Sequence, residues 1–167
     1  EIAEKFASEY AVENLSFDAV LDDERIGGVV LAVPATLHAP MAVAAMNRGK
    51  SVLVEKPIAM DKFEAQLMLD AAKVNKVQLM IGHLLQYHPV FIALKKLKES
   101  GELGNLQYLY SNRLSFGKVR SEEDVIWSFA PHDISMVLSL IGEEPLVVKA
   151  ESSAILQPDI ADTAIVH

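Results

Sequence analysis

Glu55-Lys56-Pro57 is the segment whose residue types and placement bear most directly on chemistry. It follows Ser51-Val-Leu-Val54, an apolar run that reads as a buried strand, and Pro57 stops that strand from continuing in its ladder. Ligands of open α/β sheets bind beyond the carboxyl ends of the strands, so an ammonium placed there points to a cleft. The plainer alternative is a strand-end lysine paired with Glu55 or simply solvated. A second strand end carries Ala32-Val-Pro-Ala-Thr-Leu-His38, whose histidine, taken alone, reads as a helix-start or half-buried residue. Later in the chain Arg113 and Arg120 flank Gly117. Two guanidinium groups on that loop suit an anionic group such as a diphosphate. Solvated charges pairing with the acidic run Glu122-Glu-Asp124 are the competing reading.

The elements that must position these groups alternate through the first half. Ile2 and Phe6 have helical spacing, and Ser16 caps a short helix from Phe17 to Leu21. Gly28 to Pro34 is a continuous apolar run ended by proline, the pattern of a strand buried on both faces. A helix is expected over Leu37 to Arg48 with Gly49 closing it, then a strand over Ser51 to Val54. Asp61 caps a helix from Lys62 to Asn75, and Val77 to Ile81 is a third strand. This order predicts right-handed crossovers and a parallel sheet. After Gly82 the pattern changes. Pro89 opens a helix to about Ser100, Gly101 and Gly104 mark a turn, and Leu106 to Phe116 alternates as a half-exposed strand. Pro131 is expected to open a helix that Gly142 ends, followed by strands over Leu146 to Leu156 and Thr163 to Val166. These predict a second domain, with the boundary between Ile81 and Pro89.

Composition narrows the function classes. The chain has 167 residues, a net charge of −8 and no basic stripe, which argues against a nucleic-acid partner. Its longest apolar run is too short to span a bilayer. Without cysteine there are no disulfides or thiolate metal sites, and no spacing of His, Asp and Glu predicts a metal. The cytoplasm is the expected compartment. Both ends read as cut inside an element, so a fragment of a longer protein is expected.

Ala32-Val-Pro34 with His38, Arg48-Gly-Lys50, and Val52-Leu-Val-Glu-Lys-Pro57 together resemble the paired motifs of the Gfo/Idh/MocA oxidoreductases. Met80-Ile-Gly-His-Leu-Leu-Gln-Tyr-His-Pro89 and Ser100-Gly-Glu-Leu-Gly104 extend the resemblance over essentially the whole chain. It implies an α/β fold: a truncated Rossmann-type parallel sheet in residues 1–83, then part of an α+β domain with an open, largely antiparallel sheet in 84–167. It also implies hydride transfer between NAD or NADP and a hydroxyl of a sugar or nucleotide sugar. In that picture Lys56 is catalytic, holding the substrate oxygen or shuttling its proton. Pro34, Thr36, His38, Glu55, Lys56 and Trp127 are the implied cofactor-binding residues. The substrate side takes Lys56, His83, Gln86, Tyr87, Arg113, Arg120, Ser128 and His132.

The family's second catalytic position, a histidine, is matched by His132 in Trp127-Ser-Phe-Ala-Pro-His-Asp133. Ser128 stands where many members have Asp, which removes a carboxylate that would orient the base. With Pro131 at the first helical position, His132 falls in the first turn, where the helix dipole favours a neutral imidazole suited to general-base work. A locally hydrogen-bonded histidine is the bland alternative, and Asp133 is expected to stabilise the helix start. Arg113, Gly117, Arg120 and the segment from Trp127 are similar to family members acting on nucleotide-linked N-acetylamino sugars, such as UDP-N-acetylglucosamine 3-dehydrogenases. The departure is the absence of any Gly-x-Gly-x-x-Gly, so the chain alone is expected to bind cofactor poorly. A non-catalytic nucleotide- or sugar-binding sensor, or an assembly subunit, is the alternative function. A homo-oligomer formed through the second-domain sheet is also expected.

Overall fold

The computed structural model describes residues 2–114 and 123–167, and the chain divides into two compact units between Ile81 and Gly82. The first contains helices α1 (Ile2–Tyr10), α2 (Phe17–Asp22), α3 (His38–Asn47) and α4 (Lys62–Asn75), and strands β1 (Gly28–Leu31), β2 (Ser51–Val54) and β3 (Leu79–Ile81). The strands pair in parallel in the order β1-β2-β3. The parallel sheet expected from the alternation is therefore present.

Local chemistry sets the element ends. Ser16 Oγ accepts from the Ala19 N–H at 3.2 Å, starting α2. Asp61 Oδ1 accepts from the Glu64 N–H at 2.8 Å while Glu64 Oε2 accepts from the Met60 N–H at 3.0 Å, so two donors at the start of α4 are satisfied. At the end of α3, Gly49 adopts φ 72°, its N–H donates to Met46 O at 2.9 Å, and the Lys50 N–H donates to Ala45 O at 3.1 Å. This paired closure requires a left-handed residue, which glycine supplies without Cβ strain.

One face of the sheet builds the core. Val29, Leu31, Val52 and Val54 pack with Leu79 and Ile81 against Ala39, Ala42, Ala45 and Met46 of α3 and Met68 of α4. The alanines let the helix approach the sheet closely, and Met46 and Met68 are fully buried. The opposite face is different. Val30, Leu53 and Met80 stand in register across the three strands, and Val30 is 70% exposed. The expectation that Gly28–Pro34 is buried on both faces is thus corrected. Both crossover helices of this three-stranded sheet pack on one side, so alternate residues lack cover.

The second unit holds α5 (Pro89–Glu99), α6 (Val125–Ile141), β4 (Ala150–Ser153) and β5 (Thr163–Val166), after a short 3-10 turn over Leu84–Tyr87. β4 and β5 pair antiparallel, as the hairpin-like spacing predicts. Two expectations are overturned here. Leu106–Leu114 forms no strand. Alternation alone does not hold a strand without ladder partners, and none pairs with this stretch among the described residues. Helix α6 begins six residues before Pro131, because Asp124 Oδ1 accepts from the Trp127 N–H at 2.9 Å and caps it. Pro131 lies inside that helix, at the cost of one backbone hydrogen bond. Among the described residues no helix is long and apolar enough to cross a membrane.

Candidate functional site

Beyond the carboxyl ends of β1 and β2 the first unit gathers Pro34, Thr36, His38, Glu55 and Lys56. The Glu55 N–H donates to Leu31 O at 3.0 Å, carrying the parallel pairing one residue past β2. Lys56 follows at once, half-buried, joined to Pro57 by a cis peptide bond. Thr36 lies exposed in a 3-10 turn over Ala35–Leu37, and Pro34 is exposed just before it. His38, at the first position of α3, is 1% exposed. Its Nδ1 lies 2.7 Å from the Pro57 carbonyl oxygen and its Nε2 2.9 Å from that of Val33. Each ring nitrogen therefore faces a backbone carbonyl oxygen of a strand-end segment, and a neutral ring donates to one of the two.

In the second unit, His83, Ser128 and His132 come together. Ser128 and His132 are four residues apart on α6 and share a face, with Ser128 only 2% exposed. The rings of His83 and His132 stand edge to face with centroids 6.3 Å apart. His83 Nδ1 is enclosed and has no hydrogen-bond partner among the described residues. Burial lowers the His83 pKa from its usual 6.5. Gln86 and Tyr87 lie on the adjoining 3-10 turn, Gln86 half-buried and Tyr87 62% exposed.

The capping of α6 at Asp124 changes the argument for His132. It is the eighth residue of the helix and not in the first turn, so the dipole at the helix start does not set its charge. Asp133 is also moved. Instead of stabilising a helix start, its carboxylate accepts from Ser111 Oγ and from Arg113 Nε, both at 2.7 Å. Arg113 is thus held beside α6. Trp127, in the first turn of α6, is 37% exposed. Arg120 and Gly117 lie outside the described residues.

Two anchoring residues were not legible as such in the sequence. Lys50 is 6% exposed and its Nζ donates to Asp23 O at 2.7 Å, fastening the approach to β2 onto the loop after α2. The signal available was a charge wedged between a helix-closing glycine and a buried strand. Asp124 was read only as part of an acidic run, although an Asp just before an apolar helical period is a capping signal. A cleft of about 640 Å³, lined by Phe6, Val12, Leu15 and Ile26 among others, includes none of Pro34, His38 and Lys56.

Residues 1–83 match the model of the Gfo/Idh/MocA oxidoreductase family, NAD-binding Rossmann fold. The chain is 35% identical over 150 residues to UDP-N-acetylglucosamine 3-dehydrogenase of Acidithiobacillus ferrooxidans, covering 89% of the chain and 46% of the relative. It is 26% identical over 165 residues to inositol 2-dehydrogenase of Rhizobium meliloti, covering 96% and 50%. The solved structure of the Acidithiobacillus ferrooxidans enzyme superposes with a TM-score of 0.83 at 33% identity, over 98% of this chain and 52% of that one. The chain spans about half the length of the curated relatives it matches. It belongs to the Gfo/Idh/MocA family of oxidoreductases, and its residues 1–83 are an NAD-binding Rossmann fold.

Proposed function

We propose that the natural protein containing this chain transfers a hydride between a nicotinamide cofactor and a hydroxyl-bearing carbon of a sugar, with a UDP-linked N-acetylamino sugar as the favoured substrate. The observation that carries the reading is Lys56, half-buried immediately beyond the carboxyl end of β2 in a parallel sheet of the NAD-binding family. The similarity to a UDP-N-acetylglucosamine 3-dehydrogenase favours the nucleotide sugar.

The strand-end residues suit the reactive end of the cofactor: Pro34 and Thr36 are exposed after β1, and Glu55 and Lys56 are half-buried after β2, with which β1 pairs. Bound there, the nicotinamide supplies the hydride acceptor or donor. Lys56 donates hydrogen bonds to the reacting oxygen and stabilises charge that develops on it. His132 takes the hydroxyl proton, which a secondary alcohol must lose as its carbon is oxidised. Arg113, fixed by Asp133, is the residue for the diphosphate, and Arg120 is its partner in that role. Nicotinamide absorbance, followed with a panel of UDP-sugars, inositol and free sugars, tests the reading. Turnover that falls by about 10²- to 10⁴-fold in Lys56→Ala and in His132→Ala is expected. Tight sugar binding without turnover in the unaltered protein would instead make it a sensor.

A further inference from the structure

Among the described residues His38 is the one histidine at 1% exposure, yet it stands among segments that carry candidate chemistry. Its ring faces two carbonyl oxygens and no side-chain partner: Nδ1 is 2.7 Å from Pro57 O, nineteen positions away, and Nε2 is 2.9 Å from Val33 O. At its two nitrogens the ring meets the chain's own backbone carbonyls. Lys56 lies between two pinned points, the Glu55 N–H bonded to Leu31 O at 3.0 Å and the Pro57 carbonyl held by His38. Pro57 has no N–H, so its carbonyl is the only backbone polar group through which this residue can be held. His38 in turn is fixed by its place at the start of α3.

We infer that His38 is the positioning residue for Lys56: its Nδ1–H holds the Pro57 carbonyl and fixes the backbone from which the lysine projects. The inference places the ring proton on Nδ1, the nitrogen that faces the Pro57 carbonyl. The inference rests on the reading of Lys56 as the residue that touches the substrate oxygen.

Asparagine and glutamine separate the two ring contacts. The Asn amide nitrogen falls where Nδ1 does and can donate to Pro57 O, whereas the Gln amide nitrogen falls where Nε2 does and reaches Val33 O. In the natural protein containing this chain, His38→Asn is expected to keep kcat within about threefold of the unaltered protein. His38→Gln and His38→Ala are expected to lose about 10- to 100-fold in kcat, the scale of a misplaced catalytic group. KM for the sugar should change by less than about threefold in all three. A second readout does not depend on turnover. The rate at which an amine-reactive acylating reagent modifies Lys56, followed by mass spectrometry, should shift severalfold in His38→Gln but not in His38→Asn. Equal kcat and equal labelling in His38→Asn and His38→Gln would overturn the inference, including where His38→Ala does not fold. If Lys56→Ala itself retained full turnover, the catalytic role of Lys56 would fall, and the labelling comparison would still decide what His38 holds.

Discussion

The imidazole rings of His83 and His132 stand edge to face, 6.3 Å between centroids, with His83 Nδ1 enclosed and without a hydrogen-bond partner among the described residues. Burial keeps His83 neutral to lower pH than a solvated histidine. Below pH 6.5 an unfolded chain takes up this proton first, so it binds more protons than the folded chain does. Stability is therefore complete above that value and declines as pH falls through it, levelling off below the folded pKa. His83→Leu should flatten this part of the thermal midpoint against pH. The C2–H resonance of His83 should titrate below that of a histidine in a peptide.

Asp133 and Arg113 supply a second prediction. The carboxylate is shared between Ser111 Oγ and Arg113 Nε, so removing it frees the guanidinium to move. If Arg113 holds the diphosphate, Arg113→Ala should weaken UDP-N-acetylglucosamine binding by about 10-fold, the scale of a charge-assisted hydrogen bond. Asp133→Asn should weaken it less. Titration calorimetry of the natural protein checks both; unchanged affinity in both variants would remove Arg113 from the substrate site.

The cap on α6 is testable through stability. Asp124→Ala should cost about 1 kcal/mol, as loss of an N-cap does elsewhere. Chemical denaturation is the measurement, and Asp124→Ser should recover most of the loss. If α6 instead began at Pro131, Asp124→Ala would be neutral.

These residues also show what a sequence discloses. Ser16, Asp61 and Gly49 were readable because a cap or a left-handed closure is chemistry between residues three to five apart. The parallel order of β1, β2 and β3 was readable because helix and strand periods alternate. The start of α6 was misread because Pro131 is tolerated inside a helix that Asp124 has already capped. The missing strand over Leu106–Leu114 and the exposure of Val30 depend on neighbouring strands and layers, which local pattern does not encode. The place of Lys56 just beyond a strand end was legible. The hold of His38 on Pro57 was not, since the two are joined only by the fold.

A second titrating group reports on the loop after α2. Arg25 donates to Asp23 through its backbone N–H, Nε and Nη2, and these bonds bring the Asp23 pKa down from 3.8 to about 2. A lowered carboxylate contributes stability that is present above 3.8 and lost as pH falls towards about 2. Arg25→Met should return the Asp23 carboxyl resonance towards the ordinary value in an NMR titration. No movement would mean that the guanidinium is not its partner in solution.

The central claim is that Lys56 acts on the reacting oxygen of a sugar hydroxyl. It is tested most directly by a single-turnover measurement of nicotinamide absorbance on the natural protein, saturated with cofactor and UDP-N-acetylglucosamine, with Lys56 intact and with Lys56→Ala. The account predicts a chemical step slowed by about 10²-fold or more in the variant, with cofactor affinity nearly unchanged. An equal rate in the two proteins would contradict it.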